Sequence, residues 1–114
     1  MEQPVVFKAD TIEDLRHTLG SDGLRELLHV YVTESMRDLE GLKGGTRAGS
    51  AQVVQFHAHR MKGASSSVGA EIVQYFAAAA EALARVGQVD LIRLLVPRIS
   101  DAVDQAGAAA QRIR

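Results

Sequence analysis

The amino-acid sequence predicts an all-α fold: an antiparallel four-helix bundle with a short additional N-terminal helix. Alanine and leucine are common, whereas aromatic residues make up only 4% of the chain and there are two prolines, a composition that favours helices. Apolar residues recur at helical spacing along most of the chain. No alternating apolar and polar run flanked by Asn-Gly or Asp-Gly indicates a β-hairpin. Four substantial helices joined by short loops are most simply arranged as an antiparallel bundle.

The N-terminal segment is predicted to form an arm followed by a short helix. Residues 1–9 are expected to be extended. In the helix that follows, Ile12, Leu15 and Leu19 share one face, and Gly20 ends it. We expect this short helix to cover one end of the bundle.

A long second helix is predicted from Ser21, which can cap it, to about Lys43. Side chains at helical spacing form its buried stripe: Leu24, Leu27, Leu28, Tyr31, Ser35, Leu39 and Leu42. Residues 44–49 contain three glycines and are predicted to be a loop.

Three further helices are predicted after this loop. Ser50 can cap the third, residues 50–68, and the fourth covers residues 71–86. The fifth covers residues 88–112 and is interrupted by Pro97, which has no N–H and clashes with the preceding turn, so we expect a kink there.

Composition limits the classes of function that the chain can perform. Its 114 residues are enough for one domain, so we expect a single domain spanning residues 1–114. The net charge of −1 provides no basic field for nucleic acid, and the absence of cysteine excludes thiolate metal sites. The N-terminal residues do not resemble a signal peptide, and no apolar run is long enough to span a membrane. We expect a cytoplasmic monomer that binds neither nucleic acid nor membrane.

The predicted third helix has a polar face centred on His59. At about 100° per residue, the side chains within about 60° of His59 include no aliphatic residue. Among them are Gln52, Gln55, Lys62, Gly63 and Ser66. The opposite face carries Val54, His57, Met61, Ala64 and Val68. We therefore expect His59 to be exposed and His57 to be a core histidine with a satisfied hydrogen bond.

The spacing H-x-x-K-G at His59 is suited to nucleophilic chemistry on an anionic substrate. A neutral imidazole nitrogen is a good nucleophile near neutral pH. Lys62, one turn later, can offset the charge of an anion bound to that ring, and Gly63 leaves space beside it. Ser66 or Gln55 can hydrogen-bond the imidazole or its adduct. No carboxylate lies within one turn on this face, and none is needed if the attacking chemistry belongs to a partner.

The segment AHRMKGASSSVGA, residues 58–70, resembles the signature of histidine-containing phosphotransfer (HPt) domains. That signature has a histidine, any residue, an aliphatic residue, a lysine, a glycine and small residues, and then an apolar residue, a glycine and an alanine. The matching positions are His59, Met61, Lys62, Gly63, Ala64, Ser65, Val68, Gly69 and Ala70. Glu81 and Arg85 stand where the family often has an acidic and a basic residue. Met61 and Ala80 replace the more usual leucines.

The resemblance implies a four-helix bundle that relays a phosphoryl group between receiver aspartates in two-component signalling. By position His59 is the phosphorylated residue, and we expect Gln55, Lys62, Gly63 and Ser66 to contact the phosphoryl group or the partner. The partners implied are receiver domains of response regulators or hybrid histidine kinases. The receiver supplies the aspartate and Mg²⁺, so the chain is a carrier, not an enzyme, and needs no cofactor of its own.

Two other functions remain as alternatives at this point. One is a metal-binding bundle that uses His17, His29, His57 and His59, although histidines two residues apart face different sides of a helix and no nearby carboxylate completes a ligand set. The other is a helical interaction module that binds a receiver or another signalling protein without being phosphorylated. A kinase that acts on itself is disfavoured, because the chain has no glycine-rich nucleotide loop.

Overall fold

A computed structural model describes residues 3–114 and shows four α-helices with no strand in that range. Their bounds are α1 Ala9–Ala48, α2 Ala51–Val68, α3 Glu71–Arg85 and α4 Val89–Arg112. Each helix packs against its two neighbours in a ring, α1 on α2, α2 on α3, α3 on α4 and α4 on α1. Because the connections are only two or three residues long, consecutive helices run antiparallel. The predicted all-α four-helix bundle is confirmed.

The predicted N-terminal helix is the first part of α1. Gly20 has a non-helical backbone (φ 76°, ψ 169°) inside the long helix and separates residues 9–19 from the rest. Residues 3–8 precede the helix without regular structure, and residues 1 and 2 of the expected arm lie outside the described residues. The arm is held to the turn between α2 and α3, because the Lys8 amide donates to the carbonyl of Gly69 at 2.9 Å.

The predicted loop at residues 44–49 is wrong, because α1 continues to Ala48 and Gly49 caps its C-terminus. A Cβ atom on Gly45 would lie 2.9 Å from a Val53 methyl carbon, so α1 and α2 approach each other closely at this glycine. The hydroxyl of Thr46, buried here, donates to the carbonyl of Leu42. Tertiary packing thus outweighs the low helix propensity of the glycines.

Helix α2 begins and ends where the sequence predicts. The Ser50 hydroxyl accepts a hydrogen bond from the Val53 amide and caps the N-terminus. Gly69, at the C-terminus, has φ of 74° and lies so close to Thr11 that an added Cβ would be 2.8 Å from the Thr11 Cβ. Both the left-handed backbone and the close approach call for glycine at this position.

The core lies between the apolar faces of the four helices. All seven side chains predicted for the buried stripe of the long helix are buried or half-buried.

Helix α4 continues through Pro97 to Arg112, so the proline does not end it. Among the residues that the structure describes, no helix combines the length and apolar composition that crossing a bilayer requires.

Candidate functional site

Helix α2 presents His59 to solvent because its opposite face is fixed in the core. Val54, Ala58 and Met61 are fully buried, and this leaves the His59 side chain 66% exposed. The other residues predicted for the polar face are exposed or half-buried: Gln52, Gln55, Lys62, Gly63 and Ser66. The structure therefore brings the sequence-predicted site residues onto one accessible face of α2.

The ring of His59 is oriented by a carboxylate from the neighbouring helix α3. Its Nδ1 lies 2.5 Å from Oε2 of Glu81. An ionised carboxylate only accepts hydrogen bonds, so we assign the proton of the neutral ring to Nδ1. The Nε2 lone pair is then free and belongs to an exposed ring, which is the arrangement a nucleophilic imidazole requires.

Glu81 is buried, with 3% of its side chain exposed, and is surrounded by cationic groups. Lys62 Nζ donates to Oε1 at 2.5 Å, and an Arg85 nitrogen lies 3.5 Å from Oε2. The hydrogen bond from the Lys62 ammonium lowers the pKa of the Glu81 carboxyl against the opposing effect of burial, and the bond from His59 lowers it further. Glu81 therefore stays ionised and links α3 to both His59 and Lys62 of α2.

Gly63 leaves open space one turn after His59. A Cβ atom placed on it would have no neighbour within 4 Å, so packing inside this chain does not require glycine here. A shallow groove of about 430 Å³ lies on the other side of the ring, and Gln52, Gln55 and Arg85 are among the residues that line it. His59 is thus accessible from both sides along α2.

The structure adds two details to the predicted site. Within residues 3–114, neither Gln55 nor Ser66 hydrogen-bonds the ring of His59, whose partner is Glu81. Ser65, which sequence reasoning gave no role, is fully buried, and its hydroxyl lies 2.7 Å from that of Tyr31 on α1. Ser65 therefore helps to hold α2 against α1.

His57 points away from His59 and toward α1, as expected for a structural histidine. Its Nδ1 lies 2.9 Å from Oδ1 of the buried Asp38, and its ring packs so tightly on Gly41 that an added Cβ would be 2.2 Å from Nε2. His17 and His29 are exposed on α1. In the part of the chain that the structure describes, no group of three or more potential ligands is placed to hold a metal ion.

Sequence reasoning missed three residues of this site. Glu81 matched the family pattern but was not connected to His59, because a contact between helices leaves no trace in the spacing of either one. Phe56 and Arg60 line the same groove as His59. Phe56 could have been found, since its three-residue spacing places it on the same side of the helix.

A family model described as the Hpt domain matches residues 26–109. Among solved structures, the chain is similar to the crystal structure of histidine-containing phosphotransfer protein B (HptB) from Pseudomonas aeruginosa PAO1. The TM-score is 0.87 and the sequence identity 24%, over 98% of this chain and 100% of that chain, a likeness that shows the fold. No curated protein matches the chain.

Proposed function

The chain belongs to the Hpt domain family, whose members carry phosphoryl groups in phosphorelays and are not catalysts, and we propose that it carries the group on Nε2 of His59. The donor is an aspartyl phosphate of one receiver domain, and the acceptor is an aspartate of another. The observation that carries this proposal is the 2.5 Å contact of Nδ1 with Glu81, which leaves Nε2 as the free nitrogen of an exposed ring.

The transfer step follows from the tautomer. The Nε2 lone pair attacks phosphorus, the bond between phosphorus and the aspartyl oxygen breaks, and the receiver keeps its carboxylate. The imidazole becomes a phosphorylated cation whose proton stays on Nδ1. The Glu81 carboxylate lies against that proton and stabilises the new positive charge. Transfer to the next receiver is the same step in reverse.

The neighbours of His59 on α2 have supporting roles in this proposal. Lys62 contacts the phosphoryl group with its ammonium while keeping its bond to Glu81, since an ammonium has three donors. Gly63 gives the receiver access to the ring. Gln55 and Ser66 contact the phosphoryl group or the receiver. This role is supported by their position beside His59 on the exposed face.

The test is phosphorylation by a receiver domain that carries labelled phosphate on its aspartate, in the presence of Mg²⁺. The wild-type chain should accept the label, and His59→Gln should abolish labelling without changing helical content. The matched control is His29→Gln, which removes another exposed histidine and should label normally. The adduct should be lost in acid, because the P–N bond of phosphohistidine hydrolyses there.

Two results would overturn the proposal. Labelling of the His59→Gln chain on another histidine would mean that the wrong residue has been assigned. A wild-type chain that binds a receiver but never accepts its phosphate would instead be the helical interaction module that the sequence left open.

We also propose that residues 1–114 form one domain that acts as a cytoplasmic monomer, with no nucleic acid or membrane partner. The family model begins at residue 26, yet Ile12 and Leu24 are both in the core, which supports one domain that includes the N-terminal segment. Light scattering of the purified chain tests whether it is a monomer in solution.

A further inference from the structure

Phe56 is a half-exposed aromatic side chain beside the candidate phosphorylation site. It lies one turn before His59, is 55% exposed and lines the same groove. The guanidinium carbon of Arg60, one turn later, lies 5.5 Å from the centre of its ring, at cation–π distance. We call these two side chains the Phe56–Arg60 platform.

The platform is held in place from α1. Arg60 reaches across to that helix, with Nη2 at 3.4 Å from Oε2 of Glu34 and Nε at 3.7 Å from Oδ1 of Asp38. Asp38 is itself buried and bonded to His57, so its position is fixed by the core. A single exposed phenylalanine is ordinary on a protein surface. Here the phenylalanine is covered by an arginine, and two carboxylates orient that arginine. The surface is therefore prearranged, and little side-chain freedom is left to lose on binding.

We propose that the Phe56–Arg60 platform is a docking contact that determines which receiver domain transfers phosphate to His59. The inference rests on the proposed function. The receiver surface places an apolar side chain against the Phe56 ring and a carboxylate against Arg60.

Position and charge both support a receiver domain as the occupant. The platform shares a groove with His59, so a protein that brings an aspartyl phosphate to Nε2 must cover it. The two exposed charged side chains that line this groove are Arg60 and Arg85. Each pairs with a carboxylate that is buried, Asp38 or Glu81, so the charged groups that a partner meets in the groove are the two guanidinium groups. An acidic partner surface is therefore favoured over a basic one.

Aromatic and arginine side chains are the usual anchors of protein interfaces, so their removal should weaken docking and not chemistry. Phe56→Ala should raise the concentration of phospho-receiver that gives half-maximal transfer by about tenfold, as expected for loss of one such anchor. The transfer rate at saturation should stay within about twofold. Arg60→Gln should raise the half-maximal concentration by roughly threefold and weaken its dependence on salt.

The experiment compares two phosphodonors on the same variants. The protein donor is the receiver domain, from a panel of one genome, that labels the wild-type chain fastest; the small donor is phosphoramidate, which needs no docking surface. Matched controls on α4, the helix diagonal to α2, are Leu94→Ala and Arg98→Gln, both at exposed positions. Binding of the unphosphorylated receiver is measured in parallel by calorimetry.

We expect only the platform variants to bind the receiver more weakly and to need a higher concentration of phospho-receiver for half-maximal transfer. Their labelling by phosphoramidate should be unchanged. Wild-type behaviour of Phe56→Ala with the receiver would overturn the inference, and so would an equal loss with both donors. Binding that depends on Phe56 without any labelling of His59 would uphold the docking surface and overturn the proposed phosphotransfer.

Discussion

Glu81 joins His59 and Lys62 of α2 through one buried carboxylate, and this makes part of the folding free energy depend on pH. The hydrogen bond from Lys62 lowers the pKa of Glu81 below its ordinary value of 4.5. A carboxyl with a lowered pKa in the folded chain stabilises the fold above the unfolded pKa. That stabilisation is lost as the pH falls through the folded value.

Glu81→Gln should therefore lower the free energy of unfolding at pH 7 by about 1–2 kcal/mol, the range for a charge-assisted hydrogen bond with partly exposed partners. The difference from the wild-type chain should shrink as the pH falls below about 4.5. Urea unfolding at several pH values measures it. Glu40→Gln, which removes one partner of an exposed pair with Lys43, should change the stability by less than about 0.5 kcal/mol. If the difference in unfolding free energy between Glu81→Gln and the wild-type chain persists in acid, the ionised carboxylate is not its source.

Lys62 should affect the rate of transfer and the lifetime of the adduct. Contacts of an ammonium with an exposed anion are worth about 1 kcal/mol or somewhat more, so Lys62→Ala should slow transfer or shorten the lifetime of phosphohistidine by roughly tenfold. Lys43→Ala is the matched control, since the two side chains are 30% and 33% exposed and each pairs with a glutamate. If Lys62→Ala and the control have the same transfer rate and phosphohistidine lifetime at both low and high salt, Lys62 has no part in the mechanism.

At the scale of the helix, we expect Gly63 to serve access to His59, since packing within the chain does not call for glycine at this position. Glycine inside a helix costs roughly 1 kcal/mol relative to alanine, and no neighbour within the chain would meet its Cβ. Gly63→Ala should therefore stabilise the fold slightly and slow transfer only a little. Gly63→Gln should keep the fold, slow transfer from a receiver strongly, and leave labelling by phosphoramidate unchanged.

The control for Gly63 is Gly44, another helical glycine with open space around its Cβ position. Gly44→Ala should give a similar gain in stability with no effect on transfer. An equal loss with both donors in Gly63→Gln would point to a distorted α2 and not to a blocked approach.

Positions within one helix could be predicted from the sequence, and contacts between helices could not. The exposure of His59 and the inward direction of His57 follow from the turn angle of α2. The bond between His59 and Glu81 depends on the register of α3 against α2, which no spacing in either helix encodes. The predicted loop failed for the same reason, because the close packing of Val53 on Gly45 is a contact between helices that glycine content does not indicate.

At the scale of the whole molecule, substitutions in the N-terminal segment can show whether the residues before the family match are part of the domain. In the first part of α1, Ile12 is 6% exposed and Leu19 is 44% exposed. If this segment is part of the core, Ile12→Ala should lower the free energy of unfolding by about 2–4 kcal/mol, the range for truncating a buried isoleucine. Leu19→Ala, on the same short helix, should cost less than about 1 kcal/mol.

Both substitutions lie outside the proposed site, so labelling of His59 by phosphoramidate should stay normal wherever the chain is folded. Urea unfolding gives the stability, and the same samples give the labelling. A small and equal cost for the two variants would show that residues before the family match only rest on the bundle. A large cost confined to Ile12→Ala would support one domain, since the amide of Lys8 already ties this segment to Gly69, at the turn that ends the helix of His59.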